Sequence, residues 1–256
     1  MSKLALVTAQ GKPFDTLRAN GDSRNLTLRK LGMIGGTSWL STAMYYEQIN
    51  QGVARKLGGL NSAPLVIESL NLEEVAPLQL AGEWERVAEI LTGAARRLEA
   101  AGAEGLIICS NTGHKVAGEV AAAVSIPLIH MGEVVAERLA TDGVKRAGIL
   151  GTRFTMAEPF VRAPIEARGV TLATPDAVTS AEIDRIIFEE LAKGQVMRNS
   201  QRRLKTCLTE MAQARQQAVV LACTELVLLT DAVANVLPVY DTTAVHAKAA
   251  VEWITA

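Results

Sequence analysis

The sequence predicts an α/β protein of two similar, pseudo-symmetric domains, each a mostly parallel sheet flanked by helices, with the functional site in the cleft between them. Three observations predict it. Glu104 to Thr112 reads EGLIICSNT and Gln217 to Glu225 reads QAVVLACTE. Each is an apolar, β-branched-rich run suited to a buried parallel strand, followed by a small nucleophile and polar residues where a helix can begin. The echo extends further: GMIGGT from Gly32 is answered by GILGTR from Gly148, and Ile126-Pro127-Leu128-Ile129 by Leu237-Pro238-Val239-Tyr240. The offsets are 116 (148 − 32), 113 (223 − 110) and 111 (238 − 127). A period this long is too large for a solenoid and describes a duplicated unit. Finally, 256 residues, 49% hydrophobic and 21% charged, supply enough apolar surface for one large core or two ordinary ones.

In chain order, residues 1 to 30 are polar and lack a clear period, and read as an N-terminal extension outside the duplicated unit. After the first glycine turn, Ser41 to Leu57 reads as a helix ended by Gly58-Gly59, and Leu65 to Ile67 as a strand. Glu83 to Ala101 places Trp84, Val87, Ile90, Leu91, Ala94 and Leu98 at helical spacing, with Gly102 suited to the position after the helix end. The second half answers with a helix over Met156 to Ala167 closed by Gly169. Ser180 then caps a helix whose stripe is Ile183, Ile186, Ile187 and Leu191, with Gly194 beyond it.

Charge and composition exclude several functions. Lys plus Arg number 26 against 27 for Asp plus Glu, so no net field gathers nucleic acid or an anionic membrane. No apolar stretch reaches the ~20 residues of a membrane helix, and Leu4 to Val7 is too short for a signal core. Three cysteines, Cys109, Cys207 and Cys223, form no disulfide framework, and the expected location is the cytoplasm. Three histidines far apart in sequence, at 114, 130 and 246, present no metal-ligand spacing, so no metal is expected. GMIGGT is neither GxGxxG nor a Walker loop.

Open parallel sheets bind ligands where strand gives way to loop and helix. The strand ends here carry Gly36-Thr37-Ser38, Ser110-Asn111-Thr112, Thr152-Arg153 and Cys223-Thr224-Glu225. If the halves face each other, Ser110 and Cys223 oppose one another across one cleft. Two small acid/base atoms on opposite sides of a molecule suit stereoinversion at carbon, one removing a proton and the other returning one. A thiol of ordinary pKa ~8.5 at a helix start is expected to ionise more easily there. Backbone amides beside Asn111, Thr112, Thr224 and the Gly36-Thr37 turn are candidates to hold a carboxylate, or simply to cap helices. Cys109, adjacent to Ser110 and therefore on the opposite strand face, reads as packing. Cys207 reads as helix packing, and His114 as either an orienting residue or a structural one.

At these residues the chain resembles the aspartate/glutamate racemase superfamily of cofactor-independent amino-acid racemases. The resemblance covers residues 31 to 256. It is carried by GGTSW at Gly35 to Trp39, RKLGGLNSA at Arg55 to Ala63, SNTGHK at Ser110 to Lys115, LGTRFTM at Leu150 to Met156, IIFEELAKGQ at Ile186 to Gln195 and ACTEL at Ala222 to Leu226. It implies a first domain of 31–130 plus 239–256 and a second of 131–238, with crossings near His130 and Pro238. It also implies a small-molecule amino-acid substrate, no pyridoxal phosphate or other cofactor, and a homodimer.

The family's second catalytic cysteine falls on Cys223. Its first catalytic position, a cysteine or sometimes a threonine before Asn-Thr, falls on Ser110, and Gln79, a polar residue in the apolar Pro77-Leu78-Gln79-Leu80 loop, matches a substrate-contact position. Members acting on acidic substrates can clamp the distal carboxylate with an arginine in the first half and a lysine in the second. Here Pro64 to Glu85 holds no basic residue and Glu182 stands near the lysine's place, which opens the range to neutral, basic or varied side chains. The same resemblance leaves as alternatives a single-cysteine decarboxylase and a maleate-type isomerase. A non-enzymatic two-lobed binding protein is the further reading.

Overall fold

In the computed structural model, residues 27–230 and 235–256 are described. Most of the 1–30 extension lies outside them. Its last residues are tied down: the Arg29 amide donates to the Ile254 carbonyl (3.0 Å), and the Arg29 guanidinium lies 4.6 Å from the Trp253 ring centroid.

The first half runs β1 (Leu31–Gly35), α1 (Trp39–Leu57), β2 (Leu65–Ser69), α2 (Leu72–Ala81), α3 (Trp84–Ala100), β3 (Gly105–Ile108) and α4 (Ala117–Ala122). The second runs α5 (Met131–Thr141), β4 (Arg146–Gly151), α6 (Arg153–Ala157), α7 (Pro159–Ala167), β5 (Thr171–Ala173), α8 (Ala177–Glu189), α9 (Arg198–Gln213), β6 (Ala218–Ala222), β7 (Val239–Asp241) and α10 (Thr242–Ile254). Two wholly parallel sheets result, of order β2-β1-β3 and β5-β4-β6-β7.

The duplication is visible in single hydrogen bonds. Leu106 N–H donates to the Pro127 carbonyl (2.8 Å) and Val219 N–H to the Pro238 carbonyl (2.9 Å), and Leu128 bridges Leu106 in parallel register where β7 pairs with β6 in the other half. That pairing corrects one expected boundary. Residues 239–241 hydrogen-bond into the second sheet, and the return to the first half begins only with α10, which packs along α1.

Three other expectations change for local reasons. The single helix expected over Met156 to Ala167 is two, because Pro159 forces Glu158 into extended backbone (ψ 157°) and starts α7 afresh. Asp176, not Ser180, caps α8, its carboxylate accepting from the amides of Val178 and Thr179. Gln79, expected in a loop, lies inside α2 on its buried side.

Strand alternation sorts the core. Met33, Ile107 and Cys109 of the first sheet and Ile149, Val220 and Ala222 of the second turn inward onto α1, α5 and α10, making one continuous core through both halves. Ile34, Leu106 and Ile108 turn outward onto α3, while Leu150, Val219, Leu221 and Cys223 meet α8 and α9. Ser110 and Cys223 thus extend the same face of β3 and β6, two residues beyond Ile108 and Leu221. Cys109, one residue off that register, is fully buried in the shared core, and burial pushes its thiol far above the ordinary range.

Candidate active site

The carboxyl ends of β1, β3, β4 and β6 converge on one narrow cleft. The first turn is built by Gly36, at φ 80°, where a Cβ would lie 1.9 Å from the Leu70 carbonyl oxygen. Only glycine fits there. Its amide donates to Thr42 Oγ1 (2.8 Å), and Ser38 then caps α1 by accepting from the Ser41 amide. Gly151 plays a comparable part at β4, where a Cβ would come within 2.6 Å of the Ala222 carbonyl oxygen.

Nine sequence-predicted site residues line this cleft, Thr37, Gln79, Ser110, Asn111, Thr112, Thr152, Cys223, Thr224 and Glu225, joined by Ser38, Leu72, Ile187, Phe188, Ala192 and Ala222, whereas Arg153 turns away to pair with Asp184. The free volume is about 50 Å³, room for a few waters at ~10–15 Å³ each. Glu225 is the one charged residue among the lining residues.

The two nucleophile positions have different surroundings. Ser110 Oγ accepts from the Gly113 amide (3.2 Å), which leaves its own proton free to turn toward the cleft. His114 does not touch that hydroxyl. Its Nε2 accepts from the Met131 amide (3.1 Å), so Nδ1 carries the proton and donates to the Ser110 carbonyl (2.7 Å). Burial holds this imidazole neutral, well below its ordinary pKa. It is a structural histidine pinning the strand end to the start of α5.

Cys223 Sγ donates to Glu225 Oε2 (3.2 Å), which also accepts from Thr224 Oγ1 (2.5 Å), and Glu225 Oε1 accepts from Ser41 Oγ (3.1 Å). Burial pushes the Cys223 thiol well above its ordinary pKa. The Glu225 charge adds to that push, against a weaker opposing pull from the amides of Glu225 and Leu226. This corrects the expectation of a readily ionised thiol. The turn after Cys223 is a short 3-10 segment, Thr224–Leu229, whose amides do not outweigh burial beside a carboxylate.

Around these, Asn111 Nδ2 donates to Thr242 Oγ1 (3.0 Å), while its Oδ1 is buried with no hydrogen-bond partner among the described residues, as is Thr37 Oγ1. A buried acceptor left open at a cleft wall is suited to a donor brought by a ligand. Thr112 and Thr152 touch through their hydroxyls (3.2 Å), bridging the halves. Glu182 does not line the cleft and pairs instead with Arg203. Ser41, Leu72, Ile187, Phe188 and Ala192 were not singled out from the sequence. The helix stripe of Ile183, Ile186 and Ile187 pointed toward the last three, but Ser41 meets Glu225 across 184 residues and carried no local signal.

Comparison with known proteins identifies the family of the chain. The sequence profile described as Asp/Glu/hydantoin racemase matches residues 34–250. A broad-specificity amino-acid racemase of Bacillus subtilis is 25% identical over 224 residues, covering 86% of this chain and 96% of the relative. The crystal structure of an Asp/Glu racemase-like protein from Yersinia pestis superposes with a TM-score of 0.82 at 39% identity, over 89% of this chain and 99% of that one. An aspartate racemase homologue from Pyrococcus horikoshii gives 0.76 at 31% identity, over 90% and 100%. With the duplicated fold, the paired strand ends and a profile match over most of its length, the chain belongs to the Asp/Glu/hydantoin racemase family.

Proposed function

We propose that the protein interconverts amino-acid enantiomers without a cofactor, using Cys223 and Ser110 on opposite faces of the substrate Cα. The observation that carries this is the placement of the two side chains at equivalent ends of β3 and β6 on one cleft. Cys223 passes its proton to Glu225 Oε2, and the resulting thiolate removes the Cα proton from one face. Ser110, or a water it holds, returns a proton to the other; Glu225 then releases its proton to solvent and the Ser110 side regains one from solvent, which resets the site, and the reverse reaction runs the same steps backward. The substrate carboxylate lies against the amides that follow Ser110 and Cys223, and Asn111 Oδ1 accepts from its ammonium group.

The side-chain end of the cleft is formed by Leu72, Ile187, Phe188 and Ala192, with no lysine or arginine among the lining residues. A distal carboxylate would be desolvated there without a counter-charge, at a cost of several kcal/mol. Neutral side chains are therefore the proposed substrates. The two lobes meet at the crossing near His130, and the working assembly proposed is a cytoplasmic homodimer.

A chiral assay over both enantiomers of the common amino acids, with wild type and Cys223→Ala, tests the reading. Inversion of neutral amino acids by wild type, at a rate at least ~10²-fold above the variant, supports it. Turnover confined to Asp and Glu would refute the substrate class. Carbon dioxide release from arylmalonates without racemisation would favour the decarboxylase alternative, which needs only one thiol on one face.

A further inference from the structure

We infer that Ser41 is a positioning residue for proton transfer, holding Glu225 so that its carboxylate takes the proton of Cys223. The inference rests on the reading of Cys223 as the proton-transfer group. Ser41 belongs to the first turn of α1 in the first half, yet its hydroxyl touches both Thr224 Oγ1 and Glu225 Oε1 of the second. It is 1% exposed, and Thr224 and Glu225 are each 4% exposed. No lysine, arginine or histidine forms an ion pair with Glu225 among the described residues. The carboxylate is therefore supported by hydroxyl groups and the thiol.

The hydrogen-bond inventory of this ring is one proton short. Ser41 touches Thr224, Thr224 touches Glu225, and Glu225 touches Ser41, but two hydroxyls supply only two protons for three contacts. While Glu225 is ionised, one pair of oxygens faces each other without a proton between them. A proton arriving on Glu225 Oε2 completes the circuit, with Oε2 donating to Thr224, Thr224 to Ser41 and Ser41 to Oε1. The nearest source is Cys223 Sγ, which already donates to Oε2. The transfer breaks the S–H bond and forms an O–H bond, leaving thiolate and neutral carboxyl, with no change of net charge. Removing Ser41 removes the acceptor that completes the circuit and so disfavours the transferred state.

Ser41 is not among the residues lining the cleft, so it acts through Glu225 rather than on substrate. The test is the pH titration of Cys223 by thiolate ultraviolet absorbance, taken as the difference from Cys223→Ser in the full-length protein, alongside steady-state kinetics. Ser41→Ala is expected to lower kcat about tenfold with KM within about twofold, the size of one lost hydrogen bond in a buried network. The thiolate should then appear at higher pH by about one unit. Ser41→Thr, which keeps the hydroxyl, should restore both, and in a Glu225→Gln background Ser41→Ala should add little.

An unmoved thiolate titration in Ser41→Ala overturns the inference, whether or not kcat falls. If wild type turns over no amino acid while Ser41→Ala still moves the titration, the racemase reading fails and the role of Ser41 stands. Circular dichroism separates a folding defect from either outcome, and if the alanine variant does not fold, Ser41→Gly, which also lacks the hydroxyl, carries the same titration, an unmoved thiolate again overturning the inference.

Discussion

Ser110 and Cys223 differ by one atom, and in the proposed mechanism that atom decides how readily each face of a substrate exchanges its proton. A serine hydroxyl is a far weaker acid than a thiol, and among the described residues it is not hydrogen-bonded to a histidine or carboxylate, its oxygen accepting from the Gly113 amide instead. Cys223, by contrast, contacts Glu225 directly. Replacing Ser110 by Cys should therefore raise kcat/KM for inversion by about tenfold or more, equally from both sides because enantiomers have the same free energy, and should bring the slower enantiomer's α-deuterium uptake toward that of the faster one, as assays started from each enantiomer will read. Both positions were legible because the duplication aligned them and strand parity separated Ser110 from Cys109. What the sequence hid was the balance at Cys223. A helix-start cysteine suggested easy ionisation, whereas burial beside a carboxylate acts the other way.

At the scale of elements, strands and most helices followed from apolar runs and period, because these signals are local. Their ends did not always follow. Ser180 looked like a cap, but Asp176 reaches the free amides first, accepting from Val178 N–H at 2.9 Å and Thr179 N–H at 3.0 Å. Asp176→Ala should thus destabilise the protein by loss of the cap, lowering the melting temperature by roughly 2–4 °C, whereas Ser180→Ala should cost less. Gly36→Ala is the harsher change, since a Cβ there meets the Leu70 backbone and φ is 80°. Calorimetry should show a loss of about 2 kcal/mol or more, with the Thr37 wall of the cleft displaced.

Across the whole molecule, the two halves share one core. The three histidines, far apart in sequence, gather where the chain crosses between halves, with ring centroids 4.9 Å apart for His114 and His130 and 5.6 Å for His114 and His246. His246 accepts from the Tyr45 hydroxyl (2.9 Å) and donates to the Ile129 carbonyl (2.8 Å), a link that sequence spacing could not reveal. Burial lowers its pKa to about 4, below the ordinary ~6.5. In that window the unfolded chain binds the proton and the folded one does not, so stability is full above about 6.5 and falls as pH drops toward 4, by about 3 kcal/mol in all. Thermal melts between pH 7 and pH 4 should show the decline, and His246→Gln should make it shallower without abolishing it, because burial also holds His114 neutral. The fold brings the two strand ends to one cleft, and α-deuterium incorporation from each enantiomer in deuterated water tests the proposed proton transfer there most directly. Fast uptake from one enantiomer and slow uptake from the other, with both lost in Cys223→Ala, is the predicted result. Equal rates from both enantiomers, or exchange that survives without Cys223, would contradict it.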